Sequence, residues 1–189
     1  KAVIIFSVFL LIFASCSYFS KDNVKRVNNY DFSVQNAHLL GDINASIEII
    51  EYSDFECPYS KLFFKEILPS LKQEYILTNK AKLVFKYLPL NSVHPNAHKA
   101  AEAAECAALQ GKFWEMHDAL FQKGVGGGVE EFKKYAAELN LSTEKFDTCL
   151  DNNSTRKAVI DDYYSGINSG VKGTPTFIIN GNIAPTLKN

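Results

Sequence analysis

The chain has four cysteines but no Cys-x-x-Cys pair, so no two neighbouring sulfurs can form a zinc ribbon or a self-contained dithiol site. Its four histidines are scattered. Only His94 and His98 share an i, i+4 face, with no Cys-x-x-Cys or carboxylate accompanying them, so no metal site is expected and 94–98 is read as the start of a helical segment. Basic runs are also missing. With 20 Lys and Arg against 21 Asp and Glu, a formal net charge of −1 argues against nucleic acid as a partner. Nor does any apolar run reach the ~20 residues of a comfortable membrane span. The longest, 2–14, interrupted only by Ser7, has the length of a signal-peptide core. Nothing repeats internally. The one low-complexity stretch, Gly124-Val125-Gly126-Gly127-Gly128, lacks the Lys-Ser/Thr and the preceding strand of a phosphate loop, and is expected to be a flexible connection between helices.

What is present describes an ordinary globular protein. Its 189 residues, 47% of them apolar, suffice for one core and a satellite domain. The most informative run is Asp54-Phe55-Glu56-Cys57-Pro58-Tyr59-Ser60. Upstream, 46–52 alternates and is rich in β-branched residues; downstream, Leu62, Phe63, Ile67 and Leu71 follow helical spacing through 59–75. Cys57 therefore falls at a strand-to-helix turn. Unpaired N–H groups and the positive end of the macrodipole favour an anion there, Pro58 suits the first helical position, and the thiolate is the nucleophilic form of cysteine.

Farther on, Val171-Lys172-Gly173-Thr174-Pro175-Thr176-Phe177-Ile178-Ile179-Asn180-Gly181 reads as a loop, a proline, a short β-branched strand and a turn. Between the two motifs lie an alanine-rich helix around Cys106 and the run Gln110-Gly111-Lys112-Phe113-Trp114-Glu115-Met116-His117. Taken together, in this order, they resemble the DsbA-like thiol-disulfide oxidoreductases of the thioredoxin superfamily, over roughly 45–181. The resemblance implies an α/β thioredoxin fold with an inserted all-helical domain and no cofactor. It makes Cys57 the attacking thiol and Pro175 the cis proline lying against it. Pro58, Tyr59 and Thr174 would line the substrate groove, where the backbone beside Thr174 offers an edge to an extended peptide. Glu51 would be an acid buried beneath the site that helps move protons; a strand residue facing solvent is the alternative from the sequence, since Glu48 on the opposite strand face is acidic too. Ser60 departs from the family by standing where the second cysteine belongs. A hydroxyl can hydrogen-bond a thiolate but cannot form an S–S bond, so an oxidase cycle through an internal disulfide is closed to this chain.

Ala14-Ser15-Cys16-Ser17 resembles a bacterial lipoprotein cleavage site, which would make Cys16 the lipidated residue; an uncleaved anchor extending to Phe19 is the alternative. Either way the expectation is the periplasm or cell envelope, with the membrane engaged only through the N-terminal anchor. That leaves Cys106 and Cys149, both in the insert. In an oxidising compartment they are expected to pair, the alternative being two separate buried thiols. The expected divisions are a leader at 1–16, a tether at 17–30, a thioredoxin-fold domain from 31–90 and 169–189, and a helical insert at 91–168. The family normally continues with a further strand and a closing helix, so the C-terminus is expected to be truncated. Strands are expected at 32–38, 47–52, 82–87 and 176–179, with the active-site helix bending near Pro69. Two functions follow. One is monothiol exchange or isomerisation on protein or peptide disulfides, resolved by glutathione, the substrate or a partner redox protein. The other is a noncatalytic peptide-binding or holdase module.

Overall fold

The structure, a computed structural model, describes residues 38–184; the leader, the tether, Cys16 and the last five positions lie outside the described residues. Five strands form one sheet in the order β1-β3-β2-β4-β5. They are β1 (His38–Leu40), β2 (Ile47–Ser53), β3 (Ala81–Tyr87), β4 (Thr176–Ile179) and β5 (Asn182–Ile183). β2 and β3 run parallel, with Glu51 opposite Phe85, while β4 returns antiparallel on the other side of β2, with Phe177 opposite Glu51. Glu51 is thus in the central strand, flanked by two aromatic residues.

Alternation along β2 gives each face its own core. Ile49 joins Leu83 of β3 and Phe63, Leu68, Leu71 and Ile76 in one buried cluster. These last four belong to α1, the helical run that begins as Pro58–Leu62 and ends at Ile76. Ile50 and Tyr52 point the other way and pack with Val84, Leu88, Val171 and Ile178. Glu51 and Ser53 therefore face α1. The irregularity expected at Pro69 takes the form of two π-helical turns, Phe63–Ile67 and Lys72–Ile76, on either side of the short α turn Leu68–Leu71 in which Pro69 sits at the start. A wider turn removes the carbonyl that would clash with the ring and dispenses with its missing N–H.

Between β3 and β4 lie five helices: α2 (Ala97–Ala108), α3 (Phe113–Lys123), α4 (Gly128–Glu138), α5 (Thr143–Asp151) and α6 (Arg156–Asn168). α2 packs against all four others. Its alanines at 97, 100, 101, 103, 104 and 107 are all buried, and side chains this small let four neighbours approach one axis. Cys106 and Cys149 are joined in a disulfide between α2 and α5. Ser142 caps α5 by accepting from the Lys145 N–H. α6 lies against the sheet, where Gly166 makes close approach possible: a Cβ there would stand 2.9 Å from both Leu88 Cδ1 and Tyr52 Cε1.

One expectation lies mostly outside the described residues, the strand at 32–38, of which His38 alone is described and begins β1 (His38–Leu40). His94 is not on a helix with His98, because α2 begins only at Ala97. Each histidine also meets a carboxylate, against expectation: His98 pairs with Glu102 at i, i+4, which its spacing allowed, and His94 with Asp54, 40 residues away, which no spacing reveals.

Candidate active site

Cys57 is the N-cap of α1, with extended backbone and Pro58 in the first turn behind it. Two hydrogen bonds set that turn: the Cys57 N–H donates to the Asp54 carbonyl, and the Lys61 N–H donates to the Cys57 carbonyl. The thiol is the one free cysteine among the described residues, is only 4% exposed, and donates to the Thr174 carbonyl over 3.3 Å. The Thr174–Pro175 bond is cis. The two motifs that stand far apart in the chain thus meet at the sulfur.

The other expected residues are arranged around this meeting point. Ser60 is fully buried one turn into α1, and its hydroxyl has no hydrogen-bond partner. Pro58 and Tyr59 are exposed, Tyr59 by 62%, beside a half-buried Thr174. Glu51 is buried, and burial pushes its carboxyl up to about 8. The Ser53 hydroxyl opposes that rise only weakly, since neither it nor Glu51 Oε2 has a hydrogen-bond partner of ordinary geometry. An uncompensated desolvation cost is the reason the acid keeps its proton. Glu48, on the other strand face, is only half-buried and lies 3.6 Å from the Lys82 ammonium.

Sequence reasoning missed the carboxylates at Asp54 and Glu56. The Asp54 side chain is fully buried and accepts from the Glu56 N–H and the Leu90 N–H, each at 2.8 Å, while pairing with His94 Nδ1 at 2.8 Å. Glu56 accepts from the Asn96 N–H at 2.8 Å. The available signal was two acids bracketing Phe55 just before the cysteine, but their partners lie some 40 residues away. His117 was also missed. It sits at the centre of an aromatic cluster, with Phe55, Phe64, Phe85, Trp114 and Phe121 rings all within 5.8 Å of its own. Burial lowers its pKa, and Asp118, 2.8 Å away, opposes this. Phe113, Trp114 and Phe121 belong to this packing, with Trp114 donating its indole N–H to the Leu39 carbonyl.

Among the described residues no group of three or more His, Cys, Asp or Glu side chains is placed to hold a metal ion. No helix among them is long and apolar enough to cross a membrane.

A cysteine capping a helix on one side, a cis proline facing it, and a helical domain inserted in the sheet's crossover define a DsbA-like protein of the thioredoxin superfamily. The chain belongs to the thioredoxin family, whose model matches residues 33–188. Among solved structures it is similar to oxidised BdbD from Bacillus subtilis, with a TM-score of 0.73 at 22% identity over 82% of this chain and 86% of that one. It is also similar to α-DsbA1 from Wolbachia pipientis, with a TM-score of 0.67 at 26% identity over 82% and 79% of the two chains. A curated relative, Na(+)/H(+) antiporter NhaA 3 of Salinispora tropica, is 37% identical over 144 residues, covering 76% of this chain. The chain spans only 22% of that relative's length, so the name describes a much larger protein.

Proposed function

We propose that this protein is a cell-envelope thiol-disulfide oxidoreductase of DsbA type that works through the single thiol of Cys57. The observation that carries the reading is the free Cys57 thiol at the start of α1, 3.3 Å from the Thr174 carbonyl beside the cis proline. The solved relatives named α-DsbA1 and DsbA2 support a disulfide-exchange role at a coarser level.

In the first step the Cys57 thiolate attacks one sulfur of a protein or peptide disulfide. A new S–S bond forms, the old one breaks, and the departing sulfur leaves as a thiolate that takes up a proton. In the second step a thiol of the substrate, of glutathione or of a partner redox protein attacks the mixed disulfide, so Cys57 is regenerated. If another thiol of the substrate attacks, the substrate disulfide is isomerised; if glutathione or a partner thiol attacks, it stays joined to the substrate sulfur, and a second such thiol must attack that bond, freeing the substrate thiol and forming the disulfide of the two attacking thiols, to complete reduction. Ser60 supplies no sulfur to either step. Its buried hydroxyl is free to donate to a thiolate in the first turn of α1. Glu51 holds a proton beneath the site at neutral pH, as burial dictates. Pro58, Tyr59 and Thr174 form the walls on which an extended peptide is laid.

The envelope location rests on the leader-like 1–16 and on the Cys106–Cys149 disulfide, which suits an oxidising compartment. Lipidation at Cys16 belongs to the same proposal. The test is to incubate the domain with a mixed-disulfide peptide and follow adducts on Cys57 by mass spectrometry, with and without glutathione. An adduct that forms and then clears with glutathione supports monothiol exchange. Peptide binding without any adduct would instead make the protein a noncatalytic binding module.

A further inference from the structure

The fully buried Asp54 carboxylate gathers hydrogen bonds from two parts of the chain. Its Oδ1 accepts from the Glu56 N–H, while the Asp54 carbonyl accepts from the Cys57 N–H, so Asp54 shapes the turn that presents the thiol. Its Oδ2 accepts from the Leu90 N–H and meets His94 Nδ1. Those two donors open and close a single turn in which the His94 and Val93 N–H groups both donate to the Leu90 carbonyl. Glu56 repeats the pattern one residue before the cysteine, accepting from both the N–H and the side-chain amide of Asn96. Segment 90–96 is therefore held to the cysteine turn at three places: Leu90, His94 and Asn96. It also carries Val93, exposed by 67%.

A buried carboxylate with three partners is stiff, because releasing any one of them leaves a charge unpaired in a dry environment. This stiffness matters at a sulfur that must be placed against a substrate disulfide, where a shift of about 1 Å can cost up to about a hundredfold in rate.

We infer that Asp54 is a positioning residue for Cys57, acting through a clamp to His94 that locks the thiol's turn to segment 90–96; the inference rests on the thiol-exchange reading of Cys57. The insert's first segment is then part of the active site.

The test compares two reactions of the same sulfur. Exchange with a peptide disulfide demands a placed thiol, whereas alkylation by iodoacetamide demands only a reachable one. In D54N an amide N–H replaces one acceptor and faces a donor, so exchange should fall about tenfold or more relative to alkylation, at a temperature where circular dichroism shows an intact fold. His94 gives a second, more conservative pair: H94N keeps a donor at the Nδ1 position and should retain the wild-type ratio, while H94L loses it and should behave like D54N. If D54N does not fold, the H94N and H94L pair decides. A wild-type exchange-to-alkylation ratio in H94L, or equal loss in H94N and H94L, overturns the inference, and so does a lowered melting temperature with the ratio unchanged. If wild-type protein alkylates but exchanges no disulfide, it is the oxidoreductase reading that fails. The clamp, which rests on that reading, is overturned with it, whereas a wild type that exchanges disulfides isolates the clamp's own failure as an unchanged ratio in H94L.

Discussion

The Cys57 thiol and the Thr174 carbonyl, 117 residues apart in the chain, lie 3.3 Å from each other. Under the proposed function, a substrate strand that paired beside Thr174 would bring its own sulfur to Cys57. Ser60, on the same helix as Cys57, is what separates this site from a dithiol one.

Replacing Ser60 with cysteine should convert the site. The buried hydroxyl has no partner to lose, so a sulfur in its place leaves no unpaired polar group behind. S60C is expected to form an internal disulfide with Cys57 and to oxidise reduced peptides stoichiometrically, measured as loss of two thiols per protein. A correctly folded S60C that stays a dithiol under oxidising glutathione would count against the active-site assignment.

Glu51 should make stability depend on pH. Its carboxyl is raised from 4.5 to about 8 by burial, so the folded state binds a proton that the unfolded state has released. The stabilisation is fully present below about pH 4.5 and is lost as the pH rises toward about 8, at up to about 1.4 kcal/mol per pH unit. In E51Q this slope should be absent. Urea unfolding of both proteins at intervals between pH 5 and 8.5 checks it, and parallel curves would contradict the assignment.

Breaking the disulfide should weaken the insert while sparing the chemistry. Cys106 and Cys149 are 43 positions apart, and the chain-entropy model gives a loss of roughly 3–4 kcal/mol for a loop of that size. C106A/C149A should unfold at lower denaturant yet react at Cys57 as fast as wild type at temperatures where it remains folded.

Gly166 opposes two effects whose sizes decide the outcome. Gly166 lies in the last turn of α6, and inside a helix alanine is favoured by up to about 1 kcal/mol over glycine. Here, however, its Cβ would lie 2.9 Å from the Tyr52 ring and from Leu88, both fully buried and unable to move aside. Overpacking of this kind costs about 1–3 kcal/mol, so G166A should be net destabilising, with the Tyr52–Ser165 hydrogen bond disturbed as well. Thermal melting of G166A reads the sign directly.

Much of the fold was legible because period and punctuation agreed along the chain. Alternation in 46–52, the helical spacing after Cys57 and the β-branched run after Pro175 each led to the element observed. The π turns around Pro69 were invisible as such, since proline marks an interruption but not how the backbone absorbs it. The site divided in the same way. Cys57, Ser60 and Pro175 announce themselves by residue type, whereas Asp54, Glu56 and His94 look like ordinary polar positions until the chain is folded.

What the sequence by itself determined is the chemistry on offer: one sulfur at a strand-to-helix turn, a serine where a second sulfur would stand, a proline ahead of a short strand, and an alanine-rich insert. Local stereochemistry suffices for that, because helix starts, strands and proline turns are set by neighbouring residues. Tertiary structure alone decided whether Glu51 faced solvent or the core, where lost hydration raises its pKa. It alone brought the Thr174 carbonyl to the Cys57 thiol and segment 90–96 to Asp54. Burial and hydrogen bonding between distant segments arise only when the sheet is assembled, and no local pattern carries them.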